Sequence, residues 1–165
     1  MSTPLGKVLL FKGGDWISWV VKWQSRSIYS HAALLIPGTL TCIESYPGVG
    51  VRKRDLTAED LGRADIYDVE GMTSEKWATT IAFAEKQLGM GYDWLGVFRF
   101  MDKVPARDNN RWFCSELVHK SIAEGGVRLL ERIPSAEVSP MHLGISPLML
   151  PASEESPKVT TPAPL

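Results

Sequence analysis

The chain has 165 residues, 44% of them hydrophobic and 22% charged, which is enough for one domain with a single core. A net charge of −1 leaves no bulk attraction to nucleic acid or to an anionic membrane surface. No apolar run is long enough to cross a bilayer as a helix.

Residues 8–11 read as a short buried strand closed by Gly13-Gly14. Asp15 is a candidate cap for a helix over 16–24, with Trp16, Trp19, Val20 and Trp23 on one side. A polar connection, 26–30, leads into 31–36, a continuous apolar run like a strand buried on both faces. Pro37-Gly38-Thr39 turns the chain, residues 40–44 return, and Pro47-Gly48 turns it again into a third strand over 49–52. Residues 64–69 form another strand candidate. Thr73 or Ser74 caps a helix running to about Leu88, with Trp77, Ile81, Ala84 and Leu88 as its apolar stripe.

Gly89 and Gly91 stop that helix, and Asp93 starts a short one through Phe100. Residues 102–111 are a polar loop. A further helix begins near Cys114 and ends at Gly125-Gly126. Beyond it, Pro134, Pro140 and Pro147 break the chain into short pieces. The plan is α+β, a small antiparallel sheet packed against helices over residues 1–150. Residues 151–165 are rich in Ser, Glu, Pro and Thr and read as a disordered tail, free to dock to a partner protein.

Cys114 is the most chemically suggestive residue. A helix N-terminus presents unpaired N–H groups and partial positive charge, which favour a thiolate, the nucleophilic form of cysteine. The competing thiol, Cys42, sits mid-strand and reads as a small buried hydrophobe. No Cys-x-x-Cys or His-x-x-x-His ligand spacing appears, so no zinc site is expected, and thioester chemistry at a cysteine needs no metal or organic cofactor.

His31 opens one apolar strand and Glu44 closes the next. A two- or four-residue loop, pairing 37 with 40 or 36 with 41, puts both on one face of the hairpin. A three-residue loop puts them on opposite faces. If they share a face, the imidazole can serve as base for Cys114 and the carboxylate can orient the imidazole. The plainer alternative is a core histidine and a solvated strand-end glutamate.

His119 lies roughly 140° around the helix from Cys114, and His142 falls in a loop-like surface segment, so both are weaker bases. The Tyr92 hydroxyl is a candidate for binding substrate or a developing oxyanion. Arg52-Lys53-Arg54 reads as a solvated strand end or as a grip for an anionic substrate.

Several pieces occur in a telling order: Gly14-Asp15, Ser30-His31-Ala32-Ala33-Leu34, Ile43-Glu44-Ser45, Gly89-x-x-Tyr92-Asp93, and Phe113-Cys114-Ser115-Glu116-Leu117-Val118. Together they resemble the circularly permuted NlpC-type, papain-like cysteine hydrolases of the YiiX-like branch, in which the histidine precedes the cysteine helix. The resemblance covers about residues 5–150. It implies Cys114 as nucleophile, His31 as base, Glu44 as the orienting third residue and Tyr92 as an oxyanion or substrate contact. It departs at 16–24, where a helix is predicted in place of a strand following Gly-Asp.

The implied activity is cleavage of an amide through a thioester, with bacterial cell-wall (peptidoglycan) peptides as the leading substrate. A lipid acyl hydrolase, acyltransferase or thioesterase on the same triad is the second reading. A catalytically silent module of a larger assembly is the third. The first residues lack a signal peptide's charged head and apolar core, so the cytoplasm is the default location. Carriage on a phage virion, with the tail docked to a virion component, or delivery by a non-Sec route is the alternative.

Overall fold

The computed structural model describes residues 6–13, 28–94 and 110–152. The helix predicted over 16–24, the Gly14-Asp15 pair, the course of the chain after Trp94, nearly all of the 102–111 loop and the tail beyond Ala152 lie outside them.

Among the described residues there are eight strands and four α-helices. In chain order they are β1 (Lys7–Lys12), β2 (Tyr29–Leu35), β3 (Thr41–Tyr46), β4 (Gly50–Asp55), α1 (Ala58–Arg63), β5 (Ala64–Val69), α2 (Ser74–Lys86), β6 (Gly91–Tyr92), β7 (Arg111–Trp112), α3 (Cys114–Glu124), α4 (Pro140–Gly144) and β8 (Met149–Pro151). Six strands form one antiparallel sheet in the order β4-β3-β2-β1-β5-β8. The α+β architecture and the strand predicted over 64–69 are as the sequence pattern implies. The short strands β6, β7 and β8 and the helices α1 and α4 carry too few apolar residues to show a period.

β1 and β2 sit mid-sheet and are apolar on both faces because both faces are covered. On one side Val8, Leu10, Ala32 and Leu34 meet α2 and α3 in the main core, where Trp77, Leu117 and Ile122 are essentially without solvent contact. On the other, Leu9, Phe11, Ala33, Cys42 and Leu56 form a smaller cluster. Thr73 caps α2 by accepting the Lys76 N–H at 3.3 Å. The predicted stripe holds for Trp77, Ile81 and Ala84, but α2 ends at Lys86 and Leu88 lies beyond it, 40% exposed.

The β2–β3 turn decides whether the candidate residues can meet. Ile36 N–H donates to the Thr41 carbonyl at 2.9 Å, and Leu34 and Leu35 pair with Ile43 and Cys42. The loop therefore holds four residues, 37–40, with Gly38 at φ +71° supplying a left-handed position. Leu40, read as strand from sequence, belongs to this loop. With that register His31 and Glu44 point to the same face.

A second close approach fixes β6 beside the sheet. Val51 N–H donates to the Met90 carbonyl at 2.8 Å, and Gly89 N–H to the Val51 carbonyl at 3.0 Å. Gly50 lies between them at φ +90°, and a Cβ there would sit 2.2 Å from the Met90 carbonyl oxygen. Gly50→Ala combines a disfavoured backbone with a backbone clash and is expected to cost roughly 3 kcal/mol. Urea unfolding measures this; a change below about 0.5 kcal/mol would show that this strand junction yields freely.

Candidate active site

Helix α3 begins at Cys114 because its N-cap, Phe113, is extended (φ −82°, ψ 153°) and the residues after it are helical. Glu116 accepts the Phe113 N–H at 3.3 Å, which closes half of a capping box. Phenylalanine has no side-chain acceptor, so the N-cap leaves the first-turn N–H groups without a side-chain cap. Three contacts hold this end of the helix. Ser45 Oγ donates to the Trp112 carbonyl at 2.7 Å, Ser115 Oγ donates to the Val138 carbonyl at 2.5 Å, and Leu117 and Val118 are fully buried. Cys114 itself is 1% exposed.

His31 and Glu44 meet, as the four-residue loop requires. The His31 Nε2–H donates to Glu44 Oε2 at 2.8 Å. The imidazole packs between Phe11, 5.5 Å away between ring centroids, and the edge of Tyr46 at 6.0 Å. Cys114 lies near enough to His31 to act on its proton affinity. Burial disfavours the imidazolium, but Cys114 and Glu44 outweigh it and push His31 up to about 9.

Glu44 is wholly buried and yet ionised. Its Oε1 accepts from Arg52 Nε at 3.0 Å, Arg52 Nη2 at 2.9 Å and Arg54 Nε at 2.9 Å. Burial opposes the charge; His31 and then Arg54 override it and hold Glu44 down at about 2. The Arg52-Lys53-Arg54 run is therefore neither a solvated strand end nor a free anion grip. Arg52 and Arg54 alternate onto the Glu44 face, and Lys53, on the other face, pairs with Glu85 at 2.6 Å. Arg52 lies directly opposite Glu44 in the β3–β4 register. The three-residue turn 47–49, which pairs Tyr46 with Gly50, is what places Glu44 and Arg52 across from each other. The Arg52 guanidinium also lies over the Tyr46 ring, 4.4 Å from its centroid.

Tyr92 reaches the same site through the parallel β6–β7 pair, where Asp93 N–H donates to the Trp112 carbonyl at 3.1 Å. Its ring lies 5.9 Å from Phe113. Burial, then the nearby Cys114 and Asp93 charges, push its pKa above the ordinary phenol value, so that the phenol stays a neutral donor. Cys42 is buried beside Glu44 and, by burial first and the Glu44 charge second, is pushed up to about 12. It therefore stays a protonated thiol, as expected of a core residue.

The remaining histidines have structural partners. His119 is buried, with Nδ1 2.8 Å from Ser135 Oγ, and burial lowers its proton affinity. His142 is not in a loop: it belongs to α4, where its Nδ1 accepts the Ser139 N–H at 3.1 Å and its own N–H donates to Ser139 Oγ at 3.2 Å. Among the described residues, no group of three or more His, Cys, Asp or Glu side chains is arranged to hold a metal ion.

No protein-family profile matches the sequence, and no curated protein matches it. In three dimensions the chain is similar to the crystal structure of the metalloprotein YiiX from Escherichia coli O157:H7, DUF1105. The TM-score is 0.68 at 18% identity, over 95% of this chain and all of that one. The two share the YiiX-like, papain-like α+β fold, with the histidine strand ahead of the cysteine helix in this chain.

Proposed function

We propose that this protein is a cysteine hydrolase that cleaves an amide through a thioester, with Cys114 as nucleophile, His31 as general base and acid, and Glu44 as the residue that orients His31. The observation that carries the reading is one imidazole that interacts with a cysteine at a helix N-terminus and is hydrogen-bonded to a buried, ionised carboxylate. Solvation alone does not bring these groups together, because each is costly to bury without its partner.

The chemistry follows from the positions. The Cys114 sulfur attacks the substrate carbonyl, forming a C–S bond and an oxyanion. The uncapped Cys114 N–H and the neutral Tyr92 hydroxyl are the donors for that charge. His31 gives its proton to the leaving amine as the C–N bond breaks. It then takes a proton from water, which attacks the thioester and releases the Cys114 sulfur. Glu44 stays ionised throughout and stabilises the imidazolium.

YiiX is described as a metalloprotein, and the residues here do not suit a metal at the corresponding chemistry. Both Glu44 oxygens are engaged, one by His31 and the other by two guanidinium groups, and His31 Nε2 is engaged by Glu44. No step is therefore assigned to a metal.

Peptides of the bacterial cell wall are the proposed substrate, on the strength of the sequence resemblance alone. Iodoacetamide labelling with site-resolved mass spectrometry tests the mechanism. Cys114 is expected to react at pH 6 at least tenfold faster than Cys42, and His31→Ala to abolish that advantage without changing Cys42. Equal rates at the two cysteines, or indifference to His31→Ala, would turn the reading toward a silent binding module.

A further inference from the structure

Glu44 depends on more than His31. Arg54 spans two acids: its Nε donates to Glu44 Oε1 at 2.9 Å and its Nη1 to Asp60 Oδ2 at 2.7 Å. Asp60 Oδ2 in turn accepts from the Thr57 N–H at 2.9 Å and the Thr57 hydroxyl at 2.8 Å. Thr57 Oγ1 accepts the Asp60 N–H at 3.1 Å, closing the capping box that starts α1. An unbroken chain of hydrogen bonds thus runs from the first turn of α1 to the imidazole of His31.

Resting on the reading of Cys114 and His31 as nucleophile and base, we propose that Arg54 is a positioning residue: tethered by Asp60, it fixes the Glu44 carboxylate so that Oε2 stays on His31. Arg52 shares Oε1 but has one acidic partner among the described residues, and its guanidinium lies on the partly exposed Tyr46 ring. Arg54 cannot swing away without giving up its bond to Asp60, the carboxylate of the α1 capping box. With Oε1 saturated by two cations, Oε2 is left to the imidazole, and Glu44 acts as a rigid acceptor rather than a proton sink. The charged and titratable groups around it are His31 from β2, Arg52 and Arg54 from β4, Asp60 from α1 through Arg54, Cys114 from α3 through His31, and Cys42 on its own strand.

The test uses the full chain. The Glu44 side-chain carboxyl carbon is tracked by NMR from pH 2 to 7, and Cys114 alkylation is profiled over the accessible range. Arg54→Met is expected to make Glu44 about tenfold easier to protonate and to shift the acid limb of the alkylation profile to higher pH. Arg54→Lys is expected to restore most of the charge effect but not the two-acid tether, and Asp60→Asn to give a smaller shift in the same direction. If Arg54→Met does not fold, Arg54→Lys and Asp60→Asn carry the comparison. A lower melting temperature with an unmoved Glu44 titration would reduce Arg54 to a structural role and overturn the proposal. A shifted Glu44 titration with a wild-type Cys114 indifferent to His31→Ala would instead sink the hydrolase reading and leave the tether standing.

Discussion

Cys114→Ala and His31→Ala are each expected to lower acylation and turnover by about 10⁴-fold or more, and the double variant to lose little beyond either alone. The expectation rests on the shared proton. Without His31 the sulfur has no local base and the leaving amine no acid; without Cys114 there is no atom to acylate. Removing either disables the same unit, so the losses do not add. Glu44→Gln is expected to lose less, about 10³-fold, because an amide oxygen can still accept the His31 Nε2–H but no longer carries the charge that stabilises the imidazolium. Two readouts serve: intact-mass detection of the acyl-enzyme from an activated acyl-peptide ester, and release of product from wall-peptide fragments. Fatty-acyl esters run alongside separate the amidase from the lipid-directed alternative. Full turnover by Cys114→Ala would place the chemistry elsewhere or nowhere in this domain.

Much of this site was legible in the sequence because its parts sit where local rules are strong. A cysteine between an aromatic residue and a 3.6-period apolar run marks a helix start, and α3 does begin at Cys114. The apolar run after His31 marks a strand buried on both faces, and Ala32, Ala33 and Leu34 are fully buried. The less legible parts depended on pairing. Whether His31 and Glu44 share a face rests on one hydrogen bond, Ile36 to Thr41, which fixes a four-residue loop. The role of Arg52 and Arg54 emerges only once β3 and β4 are in register, since composition reads three adjacent basic residues as solvated. Strands β6 and β7 are two residues each and pair in parallel across distant segments, so no local period announces them. The capping box Thr57-x-x-Asp60 starts α1, but its six residues carry no apolar stripe and so no helical period.

Folding stability is expected to peak between about pH 4.5 and 6.5 and to fall on both sides, for reasons that lie in the site. His31 has a folded value near 9 against an ordinary value of 6.5. A raised value means the folded state binds the proton more tightly, so this contribution is complete below 6.5 and is lost as pH rises through 9. The gap corresponds to a ceiling of about 3 kcal/mol. Glu44 runs the other way, near 2 against 4.5, so its contribution is complete above 4.5 and lost as pH falls through 2. The two overlap because His31 and Glu44 share one bond, so their limbs belong to the pair rather than adding. Cys42, pushed up to about 12, steepens the decline only above pH 9, where the unfolded thiol ionises first. Urea unfolding at pH 3, 6 and 8.5 reads the profile. His31→Ala is expected to flatten the limb between 6.5 and 9, and Cys114→Ala to flatten it in part, since Cys114 is the largest effect raising His31. A stability that rises from pH 6 to 8.5 would mean that His31 is buried neutral. The imidazolium required for protonating the leaving amine would then be absent from the resting site.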